Sequence, residues 1–231
     1  MIDYSIENAL PLSVMERIPE LPMKPAPVIL EGKYVRLVPL DLARDIAPLF
    51  AVSNGSAIEL GNRKITAYDP DQQIWKYMSN GPFANTQGLE AFLSPQVSAG
   101  NGLCFCVFDR DTDTQIGVAN YMNNFPEHLK IELGNIWYSP TAQGTKANLE
   151  ATYLMLKHAL GLGYRRVEWK CDSRNERSRR AALRMGFKFE GIQEYHLIIK
   201  GQNRDTAWFR ILDYEWENAK SHLEQLLAVQ R

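Results

Sequence analysis

Apolar and polar residues follow two spacings along this chain, and each change of spacing marks an element. Leu103–Phe108 is an unbroken apolar run, which predicts a buried strand. A polar turn at Asp109–Asp113 leads to a second strand over Gln115–Met122, and Lys130–Tyr138 predicts a third. On that third strand, period-two alternation places Glu132, Gly134, Ile136 and Tyr138 on one face and Ile131, Leu133 and Trp137 on the other. The spacing then changes. Leu149, Tyr153, Leu156 and Leu160 recur on one helical face, Ala151, Met155 and Ala159 widen it, and Gly161 and Gly163 fit its end. Alternation returns where Val167, Trp169 and Cys171 interleave with Glu168, Lys170 and Asp172. Asn175 caps a helix that Gly186 ends. Phe187–Ile199 and Thr206–Leu212 pair across a turn at Lys200–Asn203, and Glu215–Val229 reads as a last helix.

The first part of the chain is less regular. Tyr34–Leu40 predicts a strand, and Asp41 caps a helix through Phe50 that Pro48 should kink or end. Asp69-Pro70 opens a helix carrying Ile74, Trp75 and Met78, which breaks at Asn80-Gly81-Pro82; another covers Thr86–Ser98. Residues 1–30 hold five of the twelve prolines and should form an extended arm, either wrapped over the domain or disordered. The expected organisation is this arm, 1–30, followed by a single domain over 31–231.

Composition narrows the function classes only a little. With 231 residues, 45% hydrophobic and 23% charged, the chain is an ordinary globular protein of formal net charge −1. Nothing points to a nucleic-acid or membrane partner. No apolar stretch is long enough to span a bilayer, and Asp3, Glu7 and the early prolines fit no signal peptide, so a cytoplasmic protein is expected. The odd count of three cysteines argues for buried free thiols. The four histidines lack metal-ligand spacing, and no metal site is expected.

Two features carry candidate chemistry. The polar, glycine-containing stretch SPTAQGTKAN runs straight into the apolar helix, so unpaired backbone N–H groups and the positive end of a helix dipole face one way. That arrangement suits an anion such as a pyrophosphate; an ordinary loop into a core helix reads the same. Glu132, acidic on an apolar strand, is either a general base or a paired carboxylate.

The order of QGTKANLEA, NERS, MGFKFEG and RDTAWFRIL resembles the GNAT acetyltransferase superfamily, within it the branch of the ribosomal-protein alanine N-acetyltransferases, over roughly residues 31–217. The resemblance implies an α/β (α+β) fold with a mixed, mostly antiparallel sheet flanked by helices and splayed at a cofactor cleft. It implies an acyl-CoA-dependent N-acetyltransferase moving an acetyl group from acetyl-CoA to an amine, a small molecule or a protein N-terminus, in a ternary complex. A non-catalytic acyl-CoA binder or sensor is the alternative, and a homodimer is compatible with either. On this likeness Ile136, Trp137 and Tyr138 pair with the pantetheine arm, and Gln143, Gly144, Thr145, Lys146, Ala147 and Asn148 hold the pyrophosphate. Asn175 and Ser178 contact the cofactor, Ser178 near the thioester sulfur. Glu132 is the candidate base and Tyr121 a candidate wall of the acceptor pocket. Two positions depart from the family pattern: Lys146 and Asn148 replace glycines, and Ala182 stands where many members have a tyrosine general acid.

Overall fold

The computed structural model describes residues 10–229. Its strands are β1 (Leu30–Glu31), β2 (Val35–Pro39), β3 (Ile58–Leu60), β4 (Arg63–Ile65), β5 (Leu103–Asp109), β6 (Thr114–Phe125), β7 (Lys130–Tyr138), β8 (Arg166–Asp172), β9 (Lys188–Ile199) and β10 (Gln202–Leu212). Eight of them form one sheet in the order β1-β2-β5-β6-β7-β8-β10-β9, and β3 and β4 make a separate hairpin. Every neighbouring pair in the large sheet is antiparallel except β7 and β8, which are parallel. The helices are a short α1 (Leu12–Met15), then α2 (Leu42–Ala51), α3 (Thr86–Ser98), α4 (Ala147–Gly161), α5 (Glu176–Arg184) and α6 (Trp216–Ala228). The sheet is mixed and mostly antiparallel, with helices on both faces.

Two apolar clusters fix that arrangement. On one face α4, α5 and α6 cover Leu37, Phe105, Tyr121, Leu133, Trp169 and Phe209. Met155, Leu156 and Ala159 of α4 are buried there, and each large side chain contributes roughly 1.5–3 kcal/mol. On the other face α2, α3 and Trp75 cover Cys104, Cys106, Phe108 and Val118. This second cover stops at β6 and the end of β7. Farther along, the same face carries Glu132, Glu168, Lys170 and Arg210, which are neighbours in register across β7, β8 and β10.

Simple alternation fails at one place on β7. Asn120 pairs with Gly134 and Val118 with Trp137, so two residues of β7 oppose one of β6. Asn135 takes the left-handed conformation, φ 48°, at this bulge. The extra residue flips the faces beyond it. Leu133 and Tyr138 therefore share the first cluster, while Trp137 joins the second against Trp75, correcting the expected grouping of Leu133 with Trp137.

Other sequence expectations need adjustment in the early region. Pro48 lies inside α2, which continues to Ala51 and is capped by Asp41 accepting from the Arg44 N–H at 2.8 Å. Asp69 accepts from the N–H groups of Asp71 and Gln72, but only a π-type turn, Asp71–Trp75, follows rather than a helix. The reason is Trp75, fully buried with its indole N–H on the Ser53 carbonyl, which pulls the chain inward after one turn. The first nine residues of the proline-rich arm lie outside the described residues. The remainder is not extended throughout, since Leu12–Met15 and Ile18–Glu20 form helical turns, and it runs along the domain, where Leu21 is buried and the Asn124 amide donates to the carbonyls of Pro22 and Met23. Among the described residues no helix is long and apolar enough to cross a membrane.

Candidate active site

The loop before α4 has the donors its sequence promised. The N–H groups of Ala142, Gln143 and Thr145 close local turns, and that of Ala147 meets the Thr145 hydroxyl. Those of Gly144, Lys146, Asn148 and Leu149 find no acceptor among the described residues. Gly144 sits at φ 73° with open space where a side chain would be, so backbone can approach a ligand there. Free N–H groups at the start of a fifteen-residue helix have the arrangement that suits an anion. Glu150, in the first turn, faces inward and accepts from the backbone N–H groups of Lys33, Tyr34 and Val35 at 2.6–2.8 Å, tying the helix start to β2.

The loop opens onto a cleft of about 330 Å³ created by the parallel strand pair. β7 and β8 are paired only from Lys130–Arg166 to Leu133–Trp169, and beyond that they part. Ile136, Trp137 and Tyr138 line one wall, Trp169 and α5 the other, and Gln143, Gly144, Thr145 and Asn148 one end. The Trp137 indole N–H, the Tyr138 hydroxyl and the Asn148 side-chain oxygen are buried without partners. The free N–H groups and long gap fit a phosphorylated cofactor with a slender amide-bearing arm.

Asn175 and Ser178 stand where this cleft meets a second cavity of about 90 Å³ on the other side of the gap. The Asn175 side-chain oxygen caps α5 by accepting from the Ser178 N–H at 3.1 Å. The Ser178 hydroxyl oxygen accepts from the Trp169 indole N–H at 3.0 Å, and the Cys171 thiol also lies in reach of its proton. The second cavity is lined by Leu133, Gly134, Lys170, Asp172 and Arg204, with Tyr77 and Met78 shared with the first.

Glu132 lies beneath that cavity, 3% exposed, and joins Lys170 at 2.6 Å while accepting from the Asn123 amide at 2.8 Å. Burial pushes its carboxyl above the usual range, and Lys170 and Asn123 partly offset this. Asp172 is paired with Arg174; burial pushes its carboxyl up, but Arg174 and, after it, the charge of Arg204 hold it below the ordinary range.

Three expected site residues sit elsewhere. Lys146 turns away from the cleft: its ammonium donates to the Tyr34 hydroxyl and the Leu227 carbonyl near the end of α6, and lies 4.8 Å from the Tyr34 ring centre. Ala147 is buried beneath the loop and contributes no cleft surface. Tyr121 is 2% exposed under α4, its hydroxyl donating to the Met155 carbonyl at 2.6 Å. Alternation along β6 puts it on the face opposite the acceptor-side cavity, so it is core rather than pocket wall. Ala182 is fully buried, and Ala181 is its neighbour that faces the cleft.

Arg177 belongs to a run of arginines, with Arg174, Arg179, Arg180 and Arg184, that reads as a solvated face or as a contact for an anionic group, but its actual partners have no sequence signal. Arg177 donates to the Gln143 side-chain oxygen and the Gln73 carbonyl, and Gln143 also reaches the Gln73 carbonyl, joining three separate segments at the cleft mouth. No local pattern signals such a contact between residues 34 and 104 positions apart. Lys170 had a signal: it alternates onto the face that carries Glu132.

Comparison with known proteins agrees with this geometry. The sequence model of the acetyltransferase (GNAT) domain matches residues 35–188. Among solved structures, a GCN5-related N-acetyltransferase from Brucella melitensis is 36% identical with a TM-score of 0.79, covering 88% of this chain and 87% of that one. A probable acetyltransferase of the GNAT family from Chromobacterium violaceum is 34% identical with a TM-score of 0.74, covering 84% and 90%. A chimera of the Vibrio cholerae spermidine N-acetyltransferase shares the fold at 18% identity, with a TM-score of 0.60 over 80% of this chain and 99% of that one. No protein of curated function matches the sequence. With a parted parallel pair, an anion loop at the start of α4 and a matching domain over most of its length, this chain belongs to the GNAT acetyltransferase family.

Proposed function

We propose that the protein transfers an acetyl group directly from acetyl-CoA to a primary amine, with both bound at once on opposite sides of the β7–β8 gap. The observation that carries this reading is the parting of the one parallel pair beyond Leu133 and Trp169, which joins a long cleft to a smaller cavity. Acetyl-CoA, when bound, supplies the activated acetyl group. The free N–H groups of Gly144, Lys146, Asn148 and Leu149 hold its pyrophosphate, and the unpaired backbone of β7 beyond Leu133 holds its amide arm. A backbone N–H near Trp137 offsets charge developing on the carbonyl oxygen. Glu132 accepts the amine proton through water, and its raised pKa brings it nearer the working pH of a general base. Ser178 donates a hydrogen bond to the departing thiolate, which takes its proton from solvent as it leaves.

One observation favours a binder without catalysis: Glu132 is already neutralised by Lys170. Calorimetry with acetyl-CoA and an amine panel read by release of free thiol separate the two. Transfer requires binding at micromolar affinity, about −8 kcal/mol, together with thiol release that depends on the amine. Binding without release supports the binder, and no binding at millimolar acetyl-CoA overturns both.

A further inference from the structure

The acceptor-side cavity contains one cation without a paired side chain among the described residues; the nearby Asp172 carboxylate feels its charge but is bonded to Arg174. Arg204, Lys170 and Asp172 are its charged lining. Lys170 is paired with Glu132, and Asp172 with Arg174. Arg204 makes neither a hydrogen bond nor an ion pair with any described residue, and its Nε is buried without an acceptor. Its neighbour Asp205 accepts instead from the Tyr195 N–H and the Asn203 amide, both at 2.8 Å. Beside Lys170 on the same face, the Trp208 indole N–H is a second buried donor without an acceptor. His196, 6.0 Å from the Trp208 ring, is held below its ordinary pKa by burial first and then by the charges of Lys170 and Arg204. The unused groups at this end are donors.

We propose that the acceptor amine also carries a carboxylate, and that Arg204 holds it. The two terminal nitrogens of a guanidinium present parallel N–H groups to a carboxylate, a match no ammonium or neutral amide provides. A polyamine would instead bring a second positive charge toward Arg204. The assignment rests on the acetyl-transfer reading above, because it takes the smaller cavity as the acceptor's place.

The test compares full-length protein on β-alanine, 4-aminobutanoate and 6-aminohexanoate, each beside its primary amide, and on spermidine, with acetyl-CoA saturating. The expected result is a higher kcat/KM for at least one acid than for its amide, and little transfer to spermidine. In Arg204→Gln the acid-to-amide ratio should fall by about 10- to 150-fold, and Arg204→Lys should retain part of it. Acetyl-CoA affinity, measured by calorimetry, reports whether each variant keeps its fold. Equal or better transfer to the amides or spermidine overturns the carboxylate assignment and leaves acetyl transfer standing. An unchanged ratio in a folded Arg204→Gln protein overturns the role of Arg204. Calorimetric titration of the acids into CoA-loaded protein provides a readout without turnover, and failure of all three to bind overturns the proposal as well.

Discussion

Glu132 and Lys170 form a buried ion pair, 2.6 Å between Oε2 and Nζ, beside the point where β7 and β8 part. Glu168 is the register neighbour of Glu132, but it has its own partner in Arg166 at 2.7 Å, so the two carboxylates do not share one cation. Replacing Glu132 with Gln leaves the Lys170 ammonium uncompensated and should cost about 3 kcal/mol of stability. Turnover should fall by about 10²–10⁴ if Glu132 takes the proton. The double variant Glu132→Gln, Lys170→Met separates the effects. Denaturant unfolding should show most of the stability restored, while kcat at saturating amine stays low; recovered turnover would assign Glu132 a structural role only.

Ser178→Ala removes the proposed hydrogen-bond donor to sulfur and the acceptor of the Trp169 indole N–H. Slower transfer is expected, with a stability loss of about 1 kcal/mol for the unpaired indole. Restoring the family tyrosine does not compensate. Ala182 is fully buried, so Ala182→Tyr overpacks the core and should destabilise by about 1–3 kcal/mol without raising the rate. Thermal unfolding and initial rates on the same preparations check both.

Lys146→Met tests whether the lysine of the loop grips phosphate. Its ammonium is engaged with Tyr34 and the Leu227 carbonyl, a favourable place for a cation near a helix C-terminus. Acetyl-CoA affinity should therefore change by less than about threefold, while the unfolding midpoint falls. A larger loss of affinity in calorimetry would place the charge on the phosphates.

Acid should weaken the fold from about pH 6.5 downward. Burial lowers the His158 pKa below its ordinary 6.5, so the unfolded chain takes up a proton that the folded one resists. Stability from this group is intact above that pH and is lost as pH falls from 6.5 through the lowered folded value. The slope cannot exceed about 1.4 kcal/mol per pH unit for one proton. His158→Gln should flatten the dependence of urea midpoints between pH 7.5 and 5; an unchanged slope would remove His158 from the account.

What the sequence made legible was periodic and local. β7, α3 and the apolar face of α4 follow from spacing, and Asp41 and Asn175 cap the helices they precede. Where the chain departs from spacing, a distant contact decides. The bulge at Asn135 is one residue in one strand, invisible to an alternation count, yet it sends Trp137 to the opposite cluster from Leu133. Lys146 occupies a loop position that reads as phosphate-facing, but Tyr34, 112 positions away, draws its charge elsewhere. Tyr121 reads as a pocket wall but is core for a related reason. An aromatic on a strand has two faces to choose from, and only the sheet shows which one α4 covers.

Glu150 gives the anion loop a property that its own residues do not. Three backbone N–H groups from the turn before β2 converge on this one carboxylate, and a side chain on Gly32 would run into it. On the proposed function the loop would meet its ligand already shaped, with little ordering entropy to lose when an anion docks. Gly32, more than a hundred positions upstream, is in that sense part of the binding loop. A substitution there would loosen cofactor capture from outside every sequence motif that describes it.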